Sequence, residues 1–357
     1  MTLRTTVTVG AFALMATSAL AQDYALKFQS SDPAGNPNFE LQMEWAANLE
    51  EASDGAISVE MLPVDAVVAH NETQDAVGAG ILDGHITDTS YFTGKDPAFG
   101  LIANPVGAWS DPQQMLDFME NGGGAELMNE LVEPYGLHFI GATTPGLEAF
   151  VSKVPLDGVD DLQGVKVRAP EGLVQNVFAA AGAAPVNLPG SEVFTSLDKN
   201  VIDAADYTVF STNHAQGMHD VAKHPVYPGF HSLPLVEVSM NKAKWDEMPE
   251  DLQAIMTQSV KDYAQNLIET LNEKDEAVKA EIEEEGEITI HDWSEEERAK
   301  FRAIATEQWA DVAEGSDNAQ KVYDTLIAYL TEEGLMDAPA EEGAEADAAE
   351  SEDQPAE

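Results

Sequence analysis

The sequence contains no cysteine. That absence excludes thiol catalysis, thiolate-ligated metals and disulfides together. Basic residues are scarce: 17 Lys and Arg stand against 65 Asp and Glu in 357 residues, a formal charge of −48. Nucleic-acid affinity rests on clustered cations that neutralise phosphates, so a nucleic-acid binder is excluded. Docking of basic clusters on anionic lipid is excluded for the same reason. No run of about 20 apolar residues occurs, so no segment reads as a membrane span. Neither a G-x-S-x-G elbow nor an H-E-x-x-H pair is present, and Gly122-Gly123-Gly124 lacks the Lys-Ser/Thr of a phosphate cradle.

What is present begins with an export signal. Arg4 supplies positive charge, Val7 to Ala16 is a short apolar run, and Ala19-Leu20-Ala21 offers small residues where a signal peptidase reads them. Residues 1–21 are therefore expected to be removed, leaving Gln22 as the start of a periplasmic protein with no direct membrane insertion. The last 20 residues, Ala338 to Glu357, hold eight acids, no base and no large apolar side chain. Such a composition cannot bury a core and reads as a disordered acidic tail. The overall acidity reads as a halophilic or marine surface habit.

Between these ends, strand and helix patterns alternate. Tyr24–Gln29, Ile57–Leu62, Gly84–Thr87, Leu137–Gly141, Ala149–Lys153, Val165–Arg168, Ala204–Val209, Leu235–Met240 and Ile288–Ile290 read as strands. Helices are expected over Asn36–Ala52, Asn71–Ala79, two stretches of Pro112–Tyr135, Leu173–Ala181, a segment capped by Ser191, Pro249 to about Glu285, a segment opened by a Ser294/Glu297 capping box, and Ala319–Glu332. Alternation of this kind implies an α/β fold with largely parallel sheets, and the length implies two lobes. Ligands of such folds sit at the carboxyl ends of strands, which directs attention to the loops after Val167, Tyr207 and Val226.

Arginine usage singles out one residue. The chain has four, Arg4, Arg168, Arg298 and Arg302; the first falls in the signal and the last two on what reads as an exposed helix face. Arg168 closes the VKVR strand just before a loop. A guanidinium there can grip a carboxylate through two parallel hydrogen bonds, a geometry Lys cannot imitate; the alternative is a salt bridge. Asp206, at the end of the next strand, can ligate a hard cation, accept from a hydroxyl, or merely form a turn. His214, His219, His224 and His231 are spaced so that they do not share one helical face, which argues against a zinc site.

Three ordered segments carry a family resemblance: DLQGVKVRAPEGL (Asp161–Leu173), LPGSEVFTSLDKNVIDAADY (Leu188–Tyr207) and YPGFHSLPLVEVSMNKAKWDEMPEDLQ (Tyr227–Gln253). They resemble the DctP-like solute-binding proteins of tripartite ATP-independent periplasmic (TRAP) transporters, and most closely the subgroup that binds α-keto acids and related monocarboxylates. The resemblance implies a two-lobed periplasmic-binding-protein fold with mixed sheets, hinge strands and a long helix spanning both lobes. Lobe I would comprise roughly residues 22–147 and 235–260, lobe II 148–234, and C-terminal helices 260–337. It further implies a non-enzymatic protein that captures a small organic acid and hands it to a membrane permease of two subunits. Arg168 falls on the family's carboxylate-gripping arginine. Asp206 and Tyr207 match a Glu-Trp pair that contacts an ion, Asp206 by its side chain and Tyr207 by its carbonyl, so Na⁺ or Ca²⁺ bridging the ligand is implied. Ser232, the third candidate residue of the ion site with Asp206 and Tyr207, stands where the subgroup has Glu or Gln, and Leu147 where it has Gln, with Glu148 next to it; both departures remove an oxygen ligand. Glu148, Tyr207 and His231 are the remaining candidates for polar contact with the acid. The alternatives are a ligand-sensing module for a membrane receptor and a secreted hydrolase or lyase.

Overall fold

A computed structural model describes residues 24–336; the expected signal sequence and acidic tail lie outside the described residues. Among the described residues, nine strands form two sheets. β1 (Tyr24–Ser30), β2 (Ile57–Leu62), β3 (Gly84–Asp88), β4 (Leu137–Thr143) and β9 (Val236–Asn241) make a five-stranded sheet in the order β2-β1-β3-β9-β4. β5 (Ala149–Ser152), β6 (Lys166–Arg168), β7 (Ala184–Val186) and β8 (Ala204–Thr208) make a second, in the order β5-β8-β6-β7. The alternating pattern suggested largely parallel sheets, but both are mixed. β9 runs antiparallel to β3 and β4, and β5 antiparallel to β8. The physical reason is connectivity. β9 returns from the second sheet and inserts between β3 and β4, reversing direction as it enters.

Each sheet anchors one lobe of this α/β fold. In the first, Leu26, Phe28, Ile57 and Ile86 pack against Trp45 and Leu49 of helix Pro37–Ala52. The helix Glu250–Glu285 then covers both. Its 36 residues extend about 54 Å at 1.5 Å per residue. Met256, Val260, Tyr263, Leu267 and Leu271 recur at helical spacing and enter the first lobe's core. Further along, Ile282 joins Ala149 and Phe210 of the second lobe, and Asp275 accepts from the Ser211 N–H at 2.7 Å. One rigid helix thus touches both lobes.

Several local expectations differ from the structure. Residues 288–290 form no strand; Thr289 and His291 instead donate single backbone bonds to Lys223 and Pro225, and His291 makes an isolated bridge to Val226. Ser191 lies inside a 3-10 turn, Gly190–Glu192, and caps no helix. Ser294 does cap helix Glu295–Ala313, but Glu297 leaves the capping box open. Its carboxylate accepts from the Val159 N–H at 2.7 Å instead, a tertiary bond that replaces the local one. The strand Ala184–Val186 and the helix Pro97–Ala103, too short to show a period, had no sequence signal.

Candidate functional site

The loops at strand carboxyl ends converge on a crevice between the lobes. Asp32 follows β1, Asp88 ends β3, Arg168 ends β6, and Asp206 and Tyr207 belong to the end of β8; all line one cavity of about 70 Å³. Glu148 and Ser232 complete the wall, from the two segments that connect the sheets. The lobes approach closely beside it. Gly172 has φ +102°, and a Cβ there would stand 2.6 Å from the Thr93 methyl carbon, so glycine is required both by conformation and by space.

Arg168 is 3% exposed. Its Nε donates to the Leu188 carbonyl at 2.9 Å and its Nη1 to the Asp206 carbonyl at 2.7 Å. These two bonds fix the guanidinium plane and use two of the five N–H groups a guanidinium offers. Burial pushes the nearby Tyr91 phenol well above its ordinary value, with the Arg168 charge working against the rise.

Facing Arg168 is an unusual density of carboxyls: Asp32, Asp88, Glu148 and Asp206 all line the cavity. Burial raises Asp32 to about 6; the Gln42 hydrogen bond opposes this and the Asp88 charge reinforces it. Asp88 is likewise raised to about 6, by burial first, against bonds from Ser90. Glu148 and Asp206 behave as a pair. Burial and then the neighbouring Asp206 charge push Glu148 well up. Burial acts upward on Asp206 also, but His231, the bond with Glu148 and the Arg168 charge together hold it below its ordinary value. Two close carboxyls cannot both ionise freely, so of the pair Glu148 holds a proton the more tightly and Asp206 ionises the more readily.

Glu148, Asp206 and His231 bring one ligand atom each within 4.8 Å of one another. His231 Nε2 meets Asp206 Oδ1 at 3.1 Å. The imidazole packs among Phe150, Phe178 and Phe230, and His231 is not among the cavity-lining residues: it stands behind Asp206. Tyr207 lines the cavity and gives its hydroxyl to Gln216 at 2.6 Å. Ser232 is 1% exposed, accepts from Asn104 Nδ2 at 2.6 Å, and through its carbonyl holds the Glu148 N–H at 2.8 Å. The segment carrying His231 and Ser232 rests directly on Glu148. A Cβ at Gly229 would lie 1.9 Å from the Glu148 carbonyl oxygen.

Sequence reasoning missed Asp32, Asp88 and Tyr91, although the strand-end rule applied to Arg168 reaches the first two equally well. It also misplaced Arg298. That side chain is 15% exposed and donates Nη1 to the Gly229 carbonyl, Nη2 to the Pro228 carbonyl at 2.9 Å and Nε to Trp293. It clamps the segment below the crevice, because the helix start at Ser294 aims it inward.

Two α/β lobes joined by crossing segments, with a polar crevice between them, define a solute-binding protein of the periplasmic type. The family described as "Bacterial extracellular solute-binding protein, family 7" (DctP) matches residues 28–316, and the chain belongs to it. It is thus a TRAP-type solute-binding protein, from a family whose members serve transport and are not enzymes. It is 26% identical over 314 residues to the C4-dicarboxylate-binding periplasmic protein DctP of Rhodobacter capsulatus, covering 86% of this chain and 92% of that one. It is 27% identical over 243 residues to a monocarboxylate 2-oxoacid-binding periplasmic protein of Nostoc, covering 63% of this chain and 66% of the relative, just under two thirds. Among solved structures, a TRAP periplasmic solute-binding protein of Rhodobacter sphaeroides, in an apo open form, is 65% identical with a TM-score of 0.74, covering 88% of this chain and 99% of that one. A homologue from Pseudoalteromonas atlantica with bound sodium and pyruvate is 24% identical with a TM-score of 0.78, covering 87% and 95%. No helix of the described residues is long and apolar enough to cross a membrane.

Proposed function

We propose that the protein captures a small monocarboxylate, a 2-oxo or 2-hydroxy acid, in the crevice and delivers it to the two membrane subunits of a TRAP permease from the periplasm. One observation carries this reading. Arg168, held by two main-chain carbonyls, is the single arginine lining a cavity that also carries four carboxyls. One strong cationic anchor suits one carboxylate. The cavity of about 70 Å³ suits a ligand of few heavy atoms, since one water needs about 10–15 Å³ by the same kind of measure.

Charge balance supports a second component. An anion entering beside four carboxyls gains little unless that negative charge is compensated. Glu148 and Asp206 offer hard oxygen donors at one point, with the Ser232 hydroxyl beside them, and fit Na⁺ or Ca²⁺. Such an ion would supply the positive charge that lets ligand carboxylate and protein carboxylates share the crevice. Asp206 and Glu148 would hold it, with Tyr207 and Ser232 as neighbours, and His231 would orient Asp206. A ligand carrying its own cationic group satisfies the same balance, and the four carboxyls favour keeping it as a second reading.

The closed crevice also supports capture by lobe closure. The 65% identical relative, in its open form, superposes less well than the 24% identical pyruvate-bound one. Lobes so similar in sequence should superpose closely, so a different relative placement of the lobes would account for the difference. The moving bodies would be the lobes divided as the sequence suggests, near residues 147 and 235.

A thermal-shift screen of the mature protein against small acids and amino acids, with and without chelator, tests this. A monocarboxylate should raise the melting temperature as ligand concentration exceeds Kd, and chelator should reduce the rise. A rise with no carboxylate, or only with dicarboxylates or sugar acids, would overturn it.

A further inference from the structure

A second set of metal-competent side chains lies outside the crevice, on the second lobe. His224 Nδ1 and His291 Nε2 stand 3.1 Å apart, and His291 Nδ1 meets Asp157 Oδ1 at 2.7 Å. The three residues come from distant parts of the chain. Backbone pairing sets them side by side: Thr289 donates to Lys223, His291 to Pro225 and Tyr227 to His291, while His224 donates to Ser152, each at 2.9 Å.

We propose that His224 and His291 together bind a borderline divalent cation such as Zn²⁺, with Asp157 orienting His291. Two nitrogens on one tetrahedral zinc, each at about 2.0–2.1 Å, lie about 3.3 Å apart. The observed separation needs almost no rearrangement. Asp157 accepts from His291 Nδ1, which fixes the tautomer whose Nε2 lone pair points toward His224; a carboxylate behind a ligating histidine is the usual support for such a ligand. The ion would take the place of the proton that the two rings share at 3.1 Å. His291 is 9% exposed, and His224 beside it is partly exposed.

The other close pair differs. His214 and His219 approach Nδ1 to Nδ1 at 3.3 Å, but His219 is 1% exposed and packs on Phe210. No carboxylate is hydrogen-bonded to either ring among the described bonds, so neither tautomer is fixed.

An ion on His224 and His291 would fasten residues 289–291 to the second lobe. Those residues lead into Trp293 and Arg298, which stack on Phe230 and clamp Pro228 and Gly229. The clip therefore braces the segment that carries His231 and Ser232.

The test is calorimetric titration of zinc chloride into the mature full-length protein at pH 7.5, with excess calcium to occupy hard-cation positions. The expected result is one site whose affinity falls at least about tenfold in His224→Ala and in His291→Ala, equivalent to about 1.4 kcal/mol. Asp157→Asn should weaken it about 10–100-fold. His214→Ala and His231→Gln should bind zinc as the unaltered protein does. His224→Gln, which keeps a hydrogen-bonding side chain, separates loss of the ligand from loss of folding, and its circular dichroism should match the parent. Zinc binding unchanged in His224→Gln and His291→Ala, binding lost with His231→Gln, or no zinc binding at all would overturn the proposal.

Discussion

Arg168 and Asp206 are joined through the backbone, not as an ion pair: the arginine Nη1 donates to the Asp206 carbonyl at 2.7 Å. The Asp206 carboxylate is thereby left for His231 and Glu148. One residue thus positions the anion anchor with its main chain and forms the carboxyl cluster with its side chain. Asp206→Asn should leave the Arg168 bond in place and remove the charge a cation needs. We expect cation-dependent ligand affinity to fall at least about tenfold, in line with about 1.5–3 kcal/mol for a bond to a charged group. Calorimetry with and without calcium checks this; unchanged calcium dependence would contradict it.

Gly229 tests the fit between the crossing segment and β5. Its replacement by Ala places a carbon 1.9 Å from the Glu148 carbonyl oxygen, which is backbone and cannot step aside. Overpacking of this kind costs about 1–3 kcal/mol. Urea denaturation should show a lower midpoint with an unchanged slope, whereas a midpoint equal to that of the parent would place the segment elsewhere.

Arg298→Met retains the stem and removes three donors to main-chain carbonyls. Leaving those carbonyls short of partners should cost about 1–3 kcal/mol. The loosened segment should also weaken ligand binding. Denaturation and calorimetry on the same variant check both, and a variant matching the parent in each would refute the clamp.

The pH dependence follows from the carboxyls. Asp32 and Asp88 are raised to about 6 by burial, and Glu148 is raised well above its ordinary value by burial and Asp206. A raised pKa means protons are taken up at higher pH, so lowering pH from 7.5 toward 5 neutralises the first two, while Glu148 takes up its proton more readily than an ordinary carboxyl. Each of those two protons removes negative charge that would attract a cation held at Glu148 and Asp206. Calcium-dependent ligand affinity should therefore decline over that interval, as titrations at fixed calcium would report. An increase would favour a ligand held by Arg168 without an ion.

Much of this was legible in the sequence for physical reasons. Strand β1 shows as an alternating pattern, and the Glu250–Glu285 helix shows its period over ten turns. Arg168 was found by rarity, since a lone arginine at a strand end in a lysine-using chain is conspicuous. Asp32 and Asp88 were not found, because aspartates are abundant here and rarity singles out neither of them. His231 was expected at the ligand, and it stands behind Asp206 because three phenylalanines enclose its ring. Helical spacing also could not show that Glu297 and Arg298 would reach to Val159 and Gly229, segments distant in the chain.

The measurement closest to the central claim is calorimetric titration of the parent protein and Arg168→Lys with pyruvate or lactate, in calcium. Lys keeps the charge but loses the planar fork that two carbonyls hold in place. Saturable binding by the parent and at least about tenfold weaker binding by the variant, with unchanged circular dichroism, are expected. Equal affinity in the two proteins would contradict the central claim.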